Sequence, residues 1–471
     1  MREAQIKLSE NATLPEQVAQ ILLDDLRKAK PGDRILPERT LAEKYDVSRK
    51  TVREAISRLT KRSLLERRVG RGTFVSGDTD GNKNIPCSLM NFADCFPYES
   101  MENILSNINR NSEIISADHF HGDYRSIDIY IESIVRGQQS DKRQDIICLD
   151  EGSLPIFAEE GLISPIDDLL EKSKELNKSE FHPALLNAFS YNGKLYGIPQ
   201  IYSNAVLFYN RELFDKFELD YPSESWTLEN LVEAGKKLTI IDKETGKNLT
   251  FGLGTFQLSI NTLLPFIYQH IPPEIKLNSI NIFERQETAE ALQFAYDLIY
   301  KDKICPFFQN ALDVSTAQMF ARGNLGMFIG QYQDYCSLKE NCLFEWGVAE
   351  LPRGKRRHTT IPTQGWAISA KSTAKAKAFK AIEKLMEPEN SKVFCDALNR
   401  LPARNADNSF AIPDVLKKSL EYAIPANAGF PPNLQARKEF IKETFMVFNN
   451  FETPENLCKK LCEYSKQRES I

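Results

Sequence analysis

Residues 32–76 read GDRILPERTLAEKYDVSRKTVREAISRLTKRSLLERRVGRGTFVS, and the spacing of apolar and basic residues in this stretch decides how the N-terminal part folds. Val52, Ala55, Ile56 and Leu59 recur at i, i+3, i+4 and i+7, which predicts a helix with one core-facing stripe, opened by Ser48 as its cap. Arg49, Lys50, Thr51 and Arg53 are thereby left on its first turns and outer face. Just upstream, Pro37 to Tyr45 forms a shorter helix with Leu41 and Ala42 inward, and Asp46-Val47 is the turn between the two. Downstream, Leu64 to Arg68 and Thr73 to Ser76 read as strands joined by Val69-Gly70-Arg71-Gly72, whose glycines permit the positive φ of a tight hairpin. Further out, Thr13 with Glu16 makes a capping pair and Pro15 fits a first turn. The stripe Val18, Leu22, Leu26, Ala29 then runs to the turn signal Lys30-Pro31-Gly32-Asp33. Three helices followed by a hairpin wing, with arginine and hydroxyl residues at the start of the third helix, suit insertion into a DNA major groove.

Charge distribution agrees. Residues 1–78 carry 17 Lys and Arg against 12 Asp and Glu, while the remainder carries 43 against 53, within a net charge of -5. A basic head on an acidic body is the pattern of a nucleic-acid binder; the competing reading is an ordinary solvated helix face. The stretch resembles the winged helix-turn-helix of the GntR family over roughly residues 12–76. That resemblance implies DNA contacts from Arg39, Arg49, Arg53 and Gly70, with Ser48, Lys50 and Thr51 beside phosphate or base, and a homodimer on a palindromic operator. One departure is that Leu36-Pro37 directly precedes the Glu38-Arg39 pair, without the small capping residue usual in the family.

At 471 residues, of which 42% are hydrophobic and 27% charged, the chain exceeds what one core supports and falls outside disordered, collagen-like and membrane compositions. No run of eighteen apolar residues exists, and MREAQIKLSENATLPEQ lacks a secretory apolar core, so a cytoplasmic protein with no membrane partner is expected. Nine scattered cysteines form no C-x-x-C pair, and Cys458 with Cys462 lacks a neighbouring His, so no metal is expected.

The polar stretch Gly77 to Asn84 is the expected linker between a DNA-binding domain at 1–76 and a second domain at 85–471. In the second domain, short apolar runs such as Asp145 to Leu149 and Ala205 to Tyr209 alternate with amphipathic stretches such as Ala289 to Tyr300. This argues for an α/β architecture, and its size argues for two lobes. Seven blocks carry a second resemblance: DIICLDEGSLPIFAEEGLISPIDDLL, FHPALLNAFSYNGKLYGIPQIYSNAVLFYNRELFDKF, SWTLENLVEAGKKLT, FARGNLGMFIG, WGVAELPRGK, GWAISAKS and LPARN. In this order they resemble the sugar-type extracellular solute-binding proteins, which have a two-lobed periplasmic-binding-protein-like fold (type 2).

The resemblance implies crossings near Gly197-Ile198-Pro199, Arg357 to Pro362 and Leu401 to Arg404. Lobe 1 would then be about 85–198 and 359–405, and lobe 2 about 199–358 and 406–471. It implies a cleft lined by Asp150, Glu151, Ser153, Tyr202, Ser203, Asn204 and Arg404, with Trp366 as the stacking face a sugar needs. Tyr332, Gln333 or Tyr335 would stand where the family often has a tryptophan. Trp226, Phe208 and Tyr209 read as packing residues.

No G-x-S-x-G, P-loop, H-E-x-x-H or EF-hand pattern occurs, so no enzyme and no cofactor is expected. The reading is a solute-responsive transcription regulator. The alternatives are a transport binding protein, which the basic head opposes, and a sugar-processing enzyme, which would need two carboxylates flanking a bond.

Overall fold

The computed structural model describes residues 14–26, 29, 32–61, 65–68, 71–75, 87–92, 96–110, 114–120, 127–139, 144–254, 260–306, 315–405, 410 and 412–466. The N-terminal unit contains α1 (Leu14–Leu26), α2 (Glu38–Tyr45), α3 (Arg49–Lys61), β1 (Leu65–Arg68) and β2 (Gly72–Val75). Val18, Leu22, Val52, Ala55, Ile56 and Leu59 are each no more than 2% exposed, so the stripes of α1 and α3 form one small core with Leu41 and Leu65. The second helix starts at Glu38, with Pro37 at its cap position and no side chain bonded there. Asp46 ends it in the left-handed region at φ 53°. Gly72 has φ 114°, a backbone conformation that favours glycine, and a Cβ there would only push aside the Arg34 side chain. The expected Thr13 cap, the Gly70 wing tip and the linker at 77–84 lie outside the described residues.

The second unit begins lobe 1 with β3 (Cys87–Phe92), β4 (Ile115–Phe120), β5 (Ile146–Asp150) and β6 (Ile163–Ser164). A small hairpin of β7 (Ser190–Tyr191) and β8 (Lys194–Leu195) leads into β9 (Gly197–Tyr202). The chain then enters lobe 2, with β10 (Val206–Asn210), β11 (Ile240–Ile241), β12 (Asn248–Gly254), β13 (Leu325–Gly330) and β14 (Trp346–Ala349). It returns through β15 (Thr359–Thr360) to β16 (Thr363–Ser369) and β17 (Leu401–Pro402), and leaves again through β18 (Ala423–Ile424). Lobe 1 has the order β17-β9-β16-β5-β3-β4, with β6 also on β16, and lobe 2 the order β11-β12-β13-β10-β14.

Strand alternation distributes the core. On β10, Val206 and Phe208 join the apolar cluster that fills lobe 1, while Leu207 and Tyr209 face the lobe 2 cluster with Ile267, Leu292 and Met327.

Two crossings differ from expectation. The run Gly197-Ile198-Pro199 is not a crossing, because β9 pairs with β16 and β17 along its length; the chain changes lobe at residues 203–205. Leu401 and Pro402 likewise sit in the lobe 1 sheet, and the last crossing is β18, which pairs in parallel with β15. The second crossing does lie within Arg357 to Pro362, at β15.

Candidate functional site

Two surfaces collect the polar groups singled out by the sequence. On the N-terminal unit, the Ser48 hydroxyl accepts the Thr51 N–H at 3.1 Å and fixes the start of α3. Arg49, Lys50 and Arg53 are exposed on its outer side and Thr51 is half-buried. Arg53 reaches Glu38 at 3.1 Å, and Arg67 on β1 reaches the same carboxylate at 3.3 Å, so one acid ties the third helix to the hairpin. Arg39 pairs with Glu43 at 3.1 Å, and Lys50 stands 4.0 Å from Glu54. Exposed pairs of this kind are worth about 0–1 kcal/mol, so these cations can exchange carboxylate for phosphate or base at little cost. Arg67 was not singled out from the sequence; its place on a short amphipathic strand carries no signal beyond its charge.

The second surface is the seam between the lobes, at the carboxyl end of β5, where ligands of α/β sheets bind. Asp150 accepts the Ser153 backbone N–H at 2.7 Å and its hydroxyl as well, and forms an ion pair with Arg437 at 3.2 Å. Arg437 belongs to the helix Leu434–Phe448, which packs in the lobe 2 core through Phe440 and Val447, so this pair joins the lobes. Glu151 is buried; its carboxylate accepts the Thr363 N–H at 2.8 Å, and its carbonyl accepts the Asn427 amide at 2.7 Å. Burial, reinforced by the Asp150 charge, pushes the Glu151 carboxyl up to about 8.

Arg400 donates to Gln331 Oε1 at 2.5 Å, from lobe 1 to the end of the lobe 2 strand β13, and its charge acts on both Asp334 and Glu151. Asp334 is raised to about 6 by burial, against the opposing pull of the Gln331 N–H and Arg400. Beside it the Tyr332 and Tyr335 rings lie near parallel, 14° apart with centroids at 6.0 Å, and Tyr335 meets Trp346 edge-on at 5.6 Å.

Of the expected cleft residues, Asp150, Glu151, Ser153 and Tyr332 are therefore brought to this seam. Tyr202 is buried at the end of β9, and Ser203 and Asn204 are buried at the first crossing, with Asn204 Oδ1 unpaired among the described residues. The Ser203 hydroxyl accepts the Tyr332 N–H at 3.1 Å, and the Asn204 amide bonds the Leu416 carbonyl and the Ser419 hydroxyl. Trp366 is not a stacking face: it is 0% exposed inside lobe 1, stacked on Phe96 at 4.4 Å. Arg404 is also misplaced, because its guanidinium is held within lobe 1 by Glu180 at 2.8 Å and by the Glu175 and Met386 carbonyls. Arg400, Asn427 and Arg437 are the seam residues that sequence reading missed.

Among the described residues no group of three or more His, Cys, Asp or Glu is placed to hold a metal, and no helix is long and apolar enough to cross a membrane. Cys458 is buried, and the Cys462 sulfur faces Glu284 at 3.7 Å.

A family profile described as bacterial extracellular solute-binding protein matches residues 126–413, and one described as bacterial regulatory proteins, gntR family, matches residues 14–75. The arabinooligosaccharide-binding protein of Halalkalibacterium halodurans is 33% identical over 129 residues, 26% of this chain and 26% of that protein. The Uxu operon transcriptional regulator of Escherichia coli is 35% identical over 101 residues, 21% of this chain and 39% of that protein. The chain thus spans about a quarter of the first relative's length and well under half of the second's. An ABC substrate-binding protein from Listeria monocytogenes, solved in complex with cycloalternan, superposes with a TM-score of 0.64 at 21% identity, covering 81% of this chain and 97% of its own. At that identity the likeness speaks to fold alone.

Proposed function

Because the chain belongs to the bacterial extracellular solute-binding proteins through residues 126–413 and carries a gntR-family domain at 14–75, we propose that it is a transcription regulator whose operator binding responds to a sugar held between its lobes. The observation that carries this reading is the joining of two surfaces in one chain. The first is an exposed arginine face on α3, and the second a seam where polar groups of both lobes converge, Asp150 with Arg437 and Arg400 with Gln331. Seam groups that bond each other across two lobes can bond a solute placed between them, and a solute so placed favours one lobe arrangement over another. Saccharides are the favoured class because an arabino-oligosaccharide and cycloalternan are what the similar proteins bear in their names and complexes. We further propose that it acts in the cytoplasm, as a homodimer on a two-fold symmetric operator.

Both matched families are non-enzymatic. Hydrolysis by the two adjacent acids is opposed by their partners: the Asp150 carboxylate is turned to Ser153 and Arg437, and that of Glu151 to the Thr363 N–H. A transport role alone is opposed by the N-terminal unit, which a carrier does not need.

The test is a thermal-shift screen of the full chain against arabinotriose, maltotriose, cycloalternan and monosaccharides, followed by operator binding with each hit. A ligand at about one hundred times its dissociation constant adds about 2.7 kcal/mol of stability. Saccharide binding with no effect on operator affinity would leave a binding protein and remove the regulator.

A further inference from the structure

The ion pair between Asp150 and Arg437 sits on a floor built for it. The Arg437 guanidinium lies directly over Gly152, where a Cβ would press on it and make it shift. Both side chains keep an open edge, with 24% of Asp150 and 16% of Arg437 accessible. Around them the charges are matched rather than in excess: Arg437 faces Asp150, and the Arg400 charge interacts with Asp334 and Glu151.

We infer that Asp150 and Arg437 form a mixed donor and acceptor edge that contacts the solute directly and selects a neutral saccharide over an anionic one. This rests on the sugar reading above and names its class. A sugar hydroxyl both donates and accepts, so it can bond a remaining lone pair of Asp150 Oδ2 and an N–H of Arg437 not directed at Asp150 without separating the pair. A uronate or sugar phosphate has only acceptors where its charge lies. It would find Arg437 already neutralised and Asp150 repelling it at the same distance. An unpaired arginine in this place would be a carboxylate fork; the aspartate converts it into a reader of hydroxyls.

The experiment uses the full chain and isothermal titration with maltotriose, arabinotriose and the neutral hit of the screen. Each is paired with its terminal uronic acid derivative. The parent should bind the neutral sugar and reject the anionic partner. Arg437→Ala should weaken the neutral sugar about tenfold or more, the loss expected for a charge-assisted hydrogen bond. Asp150→Asn, which frees the arginine, should weaken the neutral sugar and raise affinity for the anionic partner about tenfold. Gly152→Ala, which shifts the guanidinium without removing a charge, should weaken the neutral sugar in the same direction as Arg437→Ala, and circular dichroism melting of each variant confirms folding. Should Arg437→Ala fold poorly, Arg437→Lys serves instead, keeping the charge but losing the fork. A parent that prefers the uronate, or neutral affinity within twofold of the parent in folded Arg437 and Gly152 variants, overturns the inference while the sugar reading stands. A parent that binds no saccharide overturns both.

Discussion

The Trp366 indole N–H donates to Gln200 Oε1 at 2.7 Å in the interior of lobe 1, and Gln200 passes the bond on to the Ser391 hydroxyl at 3.0 Å. The ring packs in one aromatic cluster with Phe96 at 4.4 Å and Phe394 at 5.8 Å, those two being 4.4 Å from each other. Trp366→Ala should therefore destabilise by about 3–5 kcal/mol, the cost of emptying a large buried aromatic site. Trp366→Phe should cost less but leaves the Gln200 carbonyl oxygen unpaired, a further penalty of about 1–3 kcal/mol. Urea melting of the two variants checks this, with the loss unchanged by added solute. A loss under about 1 kcal/mol for Trp366→Ala contradicts the core placement.

On the α3 face, Arg49→Ala and Arg53→Ala should each weaken specific operator binding by about 1–3 kcal/mol if they read bases. Lys50→Ala should weaken all sequences alike and lower the slope of affinity against salt by about one unit, as loss of one phosphate contact does. Melting temperature should barely move in any of the three, because the pairs with Glu38 and Glu54 are exposed. Fluorescence anisotropy on operator and random duplexes at two salt concentrations separates the two behaviours. Unchanged operator affinity in an Arg49, Arg53 double variant rules out α3 as the recognition helix.

Glu151 makes stability depend on pH with a definite sign. Its carboxyl is pushed up to about 8 by burial and by Asp150, whereas in the unfolded chain it titrates near about 4.3. Between those values the native chain holds a proton that the unfolded chain has lost, so its contribution to stability is complete at low pH and disappears as pH rises through 8. Glu151→Gln should match the parent near pH 4 and exceed it at pH 8.5 by a few kcal/mol, because each pH unit between the folded and unfolded titrations is worth about 1.4 kcal/mol. The difference between the two proteins is the quantity to measure. Buried His358, whose ring is lowered to about 3 by burial, gives the parent an opposing rise of stability with pH up to about 6.5. Stability curves that stay parallel from pH 4 to 8.5 contradict the buried, protonated state.

The N-terminal unit was legible because a 3.6-residue period states which face is inside: Val52, Ala55, Ile56 and Leu59 are all at most 1% exposed. The lobes were legible as elements but not as a cleft. On β16 both faces are covered, Gly365, Trp366 and Ala367 being all buried, so alternation cannot say which side meets a solute. Arg400 and Arg404 lie on either side of β17, and which one faces the seam depends on how that strand docks on β9, a contact about 200 residues distant in sequence. Arg437 reaches Asp150 across a separation of 287 residues. No local spacing encodes such a pair.

The last prediction concerns coupling between the two surfaces. A solute alters operator affinity only if it binds two lobe arrangements unequally, and the contacts that join the lobes in this structure are where it would do so: Asp150 with Arg437, Arg400 with Gln331, and Asn427 with the Glu151 carbonyl. On the proposed homodimer, we expect a change of lobe angle to alter the separation of the two α3 helices. Half-sites on one face of DNA repeat at about 34 Å, so such a change alters the fit of both at once. We expect solute to change operator affinity by about 1–3 kcal/mol, and operator to change solute affinity by the same factor, since linkage is reciprocal. Inserting Gly-Ser repeats between Gly77 and Asn84 should shrink that factor while leaving solute affinity of the free protein unchanged, because a longer flexible tether lets the heads reach both half-sites in either arrangement. Solute titration with and without operator, in the parent and the lengthened protein, measures all four affinities. Equal solute affinity in the presence and absence of operator, in the parent, rules out the switch whatever the insertion does.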